Sequence, residues 1–255
     1  MIIQVLIPYE MLVQRLDEVI TKTLHPEIHF SGATLDCCDA GEVRRVTEAL
    51  RSNGITYSFH APYMDLTPGA VDNKIRKATQ ERLEETLHLA AVAEARALVC
   101  HPGYDEWRHG DFKDLWLRGS VQMWTPLVEE AEKQGIILLL ENVFEPEPET
   151  IQMLLEAVDS PHFAFCFDTG HWHIFGRTEV DEWLQRLGSK MTEVHLHDNH
   201  GERDEHLPPG DGTFDFGGFF SLLRMYQLSP VFTIEVRGED ALRIAFERLT
   251  HYVQA

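Results

Sequence analysis

Six side chains able to bind a divalent metal fall at, or just after, the end of a short apolar run. His60 follows Thr56-Tyr-Ser-Phe, His101 follows Ala97-Leu-Val-Cys, and Glu141 follows Ile136-Ile-Leu-Leu-Leu. Asp168 follows Phe163-Ala-Phe-Cys-Phe, His195 follows Met191-Thr-Glu-Val, and Glu235 follows Val231-Phe-Thr-Ile. Imidazole nitrogens and carboxylate oxygens are the donors such ions take. One coincidence of this kind carries little weight. Six in chain order describe strands that deliver their last side chains to one shared place, as a parallel barrel does at the C-terminal ends of its strands.

The elements that would position these groups are legible in the apolar pattern. The sequence predicts strands over residues 2–7, 27–30, 56–60, 97–101, 136–141, 163–168, 191–195 and 231–235. Helices are expected over about 11–22, 41–53, 73–94, within 112–134, and over about 149–157, 180–187, 217–226 and 241–253. The last carries an apolar stripe of Leu242, Ala245, Phe246, Leu249 and Val253. Near-continuous apolar strands alternating with amphipathic helices indicate a parallel sheet covered by helices. Eight such units favour a closed barrel over an open doubly wound sheet of five or six strands. No linker or low-complexity tract divides the chain, so we expect one α/β domain over residues 1–255, a single (β/α)8 TIM barrel.

Composition sets bounds. Hydrophobic content of 44% and charged content of 25% are ordinary for a soluble globular protein. No apolar stretch approaches the roughly 18 residues of a membrane helix. The N-terminal Met1-Ile-Ile-Gln-Val-Leu-Ile lacks a basic flank and a small-residue cleavage site, so it reads as a first strand rather than a signal peptide. Cys37, Cys38, Cys100 and Cys166 form no paired framework, which fits buried thiols in a reducing cytoplasm. A formal charge of −20 works against attraction to nucleic acid or anionic membranes. The sequence is compatible with a homo-oligomer.

Two segments sharpen the metal reading. Phe167-Asp-Thr-Gly-His171 sets Asp168 and His171 three residues apart across a strand end and a glycine turn. The run from His195 to His206 gives one strand-end histidine and then a loop that carries Asp204 and His206 back over the barrel mouth. A loop this dense in ligand types is more often functional than filler. With Phe59-His-Ala-Pro-Tyr63, His101-Pro-Gly103, Leu140-Glu-Asn142, His195-Leu-His-Asp198, Asp204-Glu-His206 and Ile234-Glu235, the chain resembles the xylose-isomerase-like TIM barrels. These include metal-dependent sugar isomerases and epimerases and the endonuclease IV type of apurinic endonuclease.

The resemblance implies that Glu141, Asp168, His195 and Glu235 hold one metal, with Glu141 and Glu235 also acting as acid and base on substrate carbons. It implies that His60, His101, His171, Asp204 and His206 are the further ligands with which the endonuclease holds three zinc ions. The cofactor expected is therefore a divalent metal, Zn or Mn, in one to three ions. His173, His197 and His200 read as supporting or solvated groups, and His25, His29, His88, His109, His162 and His251 as surface residues. Trp107 and Trp116 read as packing residues.

Two chemistries use such a site: proton transfer on a sugar or polyol by paired glutamates, and phosphodiester hydrolysis. The loops discriminate. Residues 61–73 contain no Lys or Arg, and the loop Asn142-Val-Phe-Glu-Pro-Glu-Pro-Glu149 is acidic. Basic residues near the mouth reduce to Arg108, Arg177, Arg203 and Arg237, few for tracking a DNA backbone. We therefore expect a metal-dependent isomerase or epimerase acting on a small sugar, polyol or sugar phosphate, with an endonuclease IV-like phosphodiesterase as the alternative. Arg203 and Arg237 are the expected guanidinium contacts to substrate. Trp172, beside His171, is an expected pocket wall and Tyr63 an expected substrate contact; the endonuclease resemblance would place duplex-probing residues at Tyr63-Met64, which favours the alternative.

Overall fold

The computed structural model describes residues 2–254; the Val253 side chain lies outside the described ones. Eight parallel strands close into a barrel in sequence order. They are β1 (Ile3–Pro8), β2 (His25–His29), β3 (Ser58–His60), β4 (Ala97–Cys100), β5 (Ile137–Glu141), β6 (Phe163–Asp168), β7 (Met191–Leu196) and β8 (Val231–Ile234). β8 closes the ring on β1, with Ile3 opposite Phe232 and Val5 opposite Ile234. The chain belongs to the predicted class, a single TIM barrel.

Side chains alternate across each strand, so one parity faces the helices and the other faces the barrel axis. The outward set forms the main core with the helices. Phe59, Leu98, Leu138, Leu140, Phe165, Phe167, Val194 and Ile234 pack there against Trp116, Trp124 and Trp183. The inward set is split. Val99, Leu139, Ala164 and Cys166 make a small apolar cluster on the β4–β6 side. Gln4, Glu27, Ser58, Glu193 and Thr233 make a buried polar arc on the other side. His29, His60, His101, Glu141, Asp168, His195 and Glu235 share this inward parity one step nearer the C-terminal ends. The strands therefore stack a layer of ligand-type side chains on top of a closed plug.

Several helices differ from expectation. The first is broken at Arg15 into Tyr9–Gln14 and Leu16–Thr21. Short helices not legible from periodicity occur at Gly32–Cys37, Glu106–His109 and Thr169–Phe175. Six residues or fewer hardly complete two turns, and even seven give too little period for an apolar stripe to register. No helix among the described residues is long and apolar enough to cross a membrane. All four cysteines are free; Cys100 and Cys166 are buried, Cys38 is half-buried and Cys37 is exposed.

Candidate metal centre

Six strand ends, the helix Thr169–Phe175 and the loop after β7 bring the nine expected donors together. Glu141, at the end of β5, is central: its Oε2 lies 3.1 Å from His60 Nε2, 3.2 Å from His101 Nε2 and 3.5 Å from His195 Nδ1. Its Oε1 lies 2.9 Å from His171 Nδ1. His195 Nδ1 is also 3.0 Å from Glu235 Oε1 and 3.8 Å from Asp168 Oδ2. Asp204 Oδ2 reaches His206 Nε2 at 2.9 Å and His171 Nε2 at 3.8 Å. Two of the donor groups close enough to share an ion are His60, His101 and Glu141, and Glu141, Asp168 and His195. Glu141 belongs to both, so it is the natural bridge.

Three of the histidines are oriented for ligation by backbone carbonyls. A backbone carbonyl can only accept, so each nitrogen bonded to one must carry the proton. His60 Nδ1 donates to Ala61 O (2.8 Å), His171 Nδ1 to Asn142 O (3.1 Å) and His206 Nδ1 to Glu235 O (2.9 Å). All three thereby turn Nε2 toward the carboxylates' side of the cavity, where a bound cation would take the place of an Nε2 proton. Pinning one ring nitrogen to a carbonyl is how metal-ligating histidines are held.

Electrostatics point the same way. Burial alone would raise Glu141, but His101 and His195 hold its carboxyl well below the usual range. Burial is likewise overcome at Asp204 by hydrogen bonds from His171 and His206, and at Glu235 by His195. His206, although burial lowers it, is raised to about 9 by Asp204 and Glu235. The carboxylates thus stay ionised and lean on imidazoles for positive charge. A divalent cation would meet that demand without protons. Buried His195 Nδ1 and Glu235 Oε1 lie 3.0 Å apart, yet neither meets hydrogen-bond geometry with a partner among the described residues, as expected of atoms placed for an ion. The donor set fits Zn or Mn.

The structure brings in groups that the sequence passed over or placed in supporting or surface roles. His197 is fully buried, with Nε2 3.0 Å from Asp168 Oδ2 and its ring stacked on His206 at 4.1 Å. Glu27 Oε1 lies 3.3 Å from His195 Nε2, the ring edge turned away from the cavity. Burial and Glu27 beside it push the Glu193 carboxyl well above the usual carboxylate range. His29 lines the cavity and packs 5.5 Å from His60; burial lowers it to about 4. His109 is buried, its Nδ1 accepting from Asp105 N, so neither His29 nor His109 is a surface group; His88 and His251 are exposed. A signal for Glu27 and His197 existed: each stands two residues from a strand-end histidine, on the same parity.

Glycine 170 is also not the turn residue expected. Asp168 caps the helix Thr169–Phe175, accepting from His171 N at 2.7 Å, and Gly170 lies inside that helix. Its role is close approach, since a Cβ there would lie 2.0 Å from His197 Cε1.

The cavity above the donors has a volume of about 570 Å³. Tyr63 lines it and stacks on His101 at 4.5 Å. Trp172, Arg203 and Arg237 do not line it. Trp172 donates its indole N–H to Thr178 O and packs edge-on against Phe214, while both arginines are exposed. Arg108, the arginine in the lining, lies 3.5 Å from Asp105.

The family model described as xylose isomerase-like TIM barrel matches residues 27–252, and the chain belongs to that family. The uncharacterized protein MJ1311 of Methanocaldococcus jannaschii is 31% identical over 76% of this chain and 69% of its own. A protein named probable endonuclease 4, from Mycobacterium leprae, is 24% identical over 69% of this chain and 71% of its own. Among solved structures, a D-tagatose 3-epimerase-like protein superposes with a TM-score of 0.84 at 26% identity, covering 100% of this chain and 97% of that one. The TTHB071 protein of Thermus thermophilus, soaked with ZnCl2, gives 0.83 at 28% identity, covering 100% and 98%.

Proposed function

We propose that the protein is a divalent-metal-dependent isomerase or epimerase of a small sugar, polyol or sugar phosphate. The observation that carries this reading is the pair Glu141 and Glu235. Their carboxylates come from strands three apart in the barrel, flank one imidazole nitrogen of His195, and stay ionised at the floor of a small cavity. Glu141, Asp168, His195 and Glu235 would hold the first ion, Zn or Mn, and His60, His101, His171, Asp204 and His206 would hold any further ones. A metal bound there polarises a carbonyl and holds adjacent substrate oxygens. One glutamate removes a proton from the carbon beside that carbonyl, and the other returns it from the opposite face. Tyr63 and His101 wall the substrate side and help to exclude water. The nearness of the D-tagatose 3-epimerase-like structure supports the same reading.

A second reading, metal-dependent phosphodiester hydrolysis, is favoured by the nine-donor set and by the likeness to a probable endonuclease 4. The paired state of Arg108 and the acidic 142–149 loop weigh against it, because phosphate tracking needs unpaired cations. The test is exchange of a substrate C–H proton with solvent across a ketose panel. Glu141→Gln and Glu235→Gln should each abolish exchange in protein that still binds metal. Exchange that survives both substitutions would overturn the assignment.

A further inference from the structure

Beside the cavity above the candidate donors lies a larger one, of about 950 Å³. The two share Tyr104, Asp105, Arg108, Phe144 and Phe175. Phe144 and Phe175 meet edge to face, at 5.0 Å and 80°, among these shared residues. Each cavity falls within the range of a whole small-molecule site, about 300–1,000 Å³. Two that adjoin suit a ligand of two units.

The chemistry of the second lining is specific. Trp107, read from sequence as a packing residue, is 96% exposed on the rim, with Phe112 at 59% and Phe144 at 49%. Exposed aromatic surface beside a cavity marks a place where a ligand's apolar faces settle. Charged groups alternate with the rings, but their cations are already engaged. Arg177 lies 2.8 Å from Glu106, Lys113 lies 2.7 Å from Glu149 and Arg108 lies 3.5 Å from Asp105. With Asp111 and Glu147 also in the lining, acids outnumber bases, which disfavours an anion. Hydroxyl groups both donate and accept, so they suit paired charges. Thr150 adds an independent sign. It lines the cavity, is 2% exposed, and its hydroxyl has no hydrogen-bond partner among the described residues. A buried hydroxyl left in that state is costly unless a ligand satisfies it.

We propose that this cavity is a subsite for a neutral, polyhydroxylated unit joined to the sugar in the cavity above the candidate metal donors. The substrate is then a glycosyl ketose rather than a free ketose. This rests on the sugar-isomerase reading above and narrows it.

The test uses full-length, metal-loaded protein, with fructose compared against the glucosyl ketoses maltulose and isomaltulose. Solvent-deuterium exchange should give a kcat/KM at least about tenfold higher for one of the glucosyl ketoses. Trp107→Ala and Thr150→Val should remove that advantage through KM, with the constants for fructose unchanged. Equal kcat/KM for all three sugars, unaltered by Trp107→Ala, would overturn the subsite and leave the isomerase reading intact. If no ketose exchanges, the isomerase reading fails by itself. The subsite is then decided by tryptophan fluorescence: saturable quenching by maltulose that disappears in Trp107→Ala upholds it, and no quenching overturns it.

Discussion

His197 Nε2 lies 3.0 Å from Asp168 Oδ2, and it can do so because Gly170 leaves its ring room. The contact ties a residue beyond the end of β7 to the last residue of β6, and it fixes which way the Asp168 carboxylate turns. Asp168 Oδ1 is already committed to His171 N. Both oxygens are therefore oriented by neighbours, as a rigid ligand requires.

Gly170→Ala should act through this contact. A methyl 2.0 Å from His197 Cε1 must push the ring away. Overpacking of this kind costs about 1–3 kcal/mol, and a chain of this length loses about 2–4 °C per kcal/mol. Thermal unfolding with and without added Zn or Mn should show a lower melting temperature and a smaller metal-induced rise. An unchanged metal-induced rise would mean that His197 does not position Asp168.

Glu27→Gln should weaken metal binding without touching the cavity. Glu27 Oε1 lies 3.3 Å from the far edge of His195 and raises that imidazole through its charge, so it favours the basicity of the nitrogen that faces the donors. Loss of such a partner typically costs 10–100-fold in metal affinity, roughly. Chelator competition on the purified variant reads this directly. Wild-type affinity would assign Glu27 to packing alone.

Glu145 gives a pH signature separate from the metal donors. Burial raises its carboxyl from 4.5 to about 7, against a hydrogen bond from Val143 N. The folded state holds this proton more tightly than the unfolded one. The associated stability is therefore full below about pH 4.5 and is lost as pH rises through about 7. The shift corresponds to about 3 kcal/mol. Glu145→Gln should gain stability relative to wild type between pH 5 and pH 8, measured by denaturant unfolding across that range. A difference that stays flat with pH would contradict the assignment.

The barrel and most of the candidate donors were legible because six of the eight strands end on one polar residue after an apolar run. Glu141 after five consecutive Ile and Leu residues is the clearest instance. The second tier was less legible. Glu27 and Glu193 lie within strands, where a single acid reads as a solvent-facing alternation, and only barrel closure shows that both point to the axis. His197 sits past a strand end, in a segment whose path depends on the bridge between Asp198 and Leu207. Arg203 and Arg237 were placed by sequence near the mouth, but proximity along the chain does not fix where an exposed side chain turns. Helices as short as Thr169–Phe175 carry too few turns for a periodic signal.

The metal itself has a simple check. Asp168→Asn and His195→Ala should each strip most of the ion from protein purified without chelator, as read by elemental analysis. Added Zn or Mn should raise the melting temperature of the wild type, because an ion bound only by the folded state stabilises it. Protein that carries no ion and gains no stability from added metal would contradict the metal assignment.

The central claim is proton transfer on a sugar, and the most direct measurement is a parallel assay of one metal-loaded preparation. One arm follows deuterium incorporation from heavy water into ketoses and glucosyl ketoses. The other follows incision of an abasic DNA duplex at physiological salt. The account predicts deuterium at a carbon beside the carbonyl of at least one sugar, and weak DNA binding with a shallow salt dependence. Efficient incision of the duplex, with no deuterium in any sugar, would contradict it and make the phosphodiesterase the function of this site.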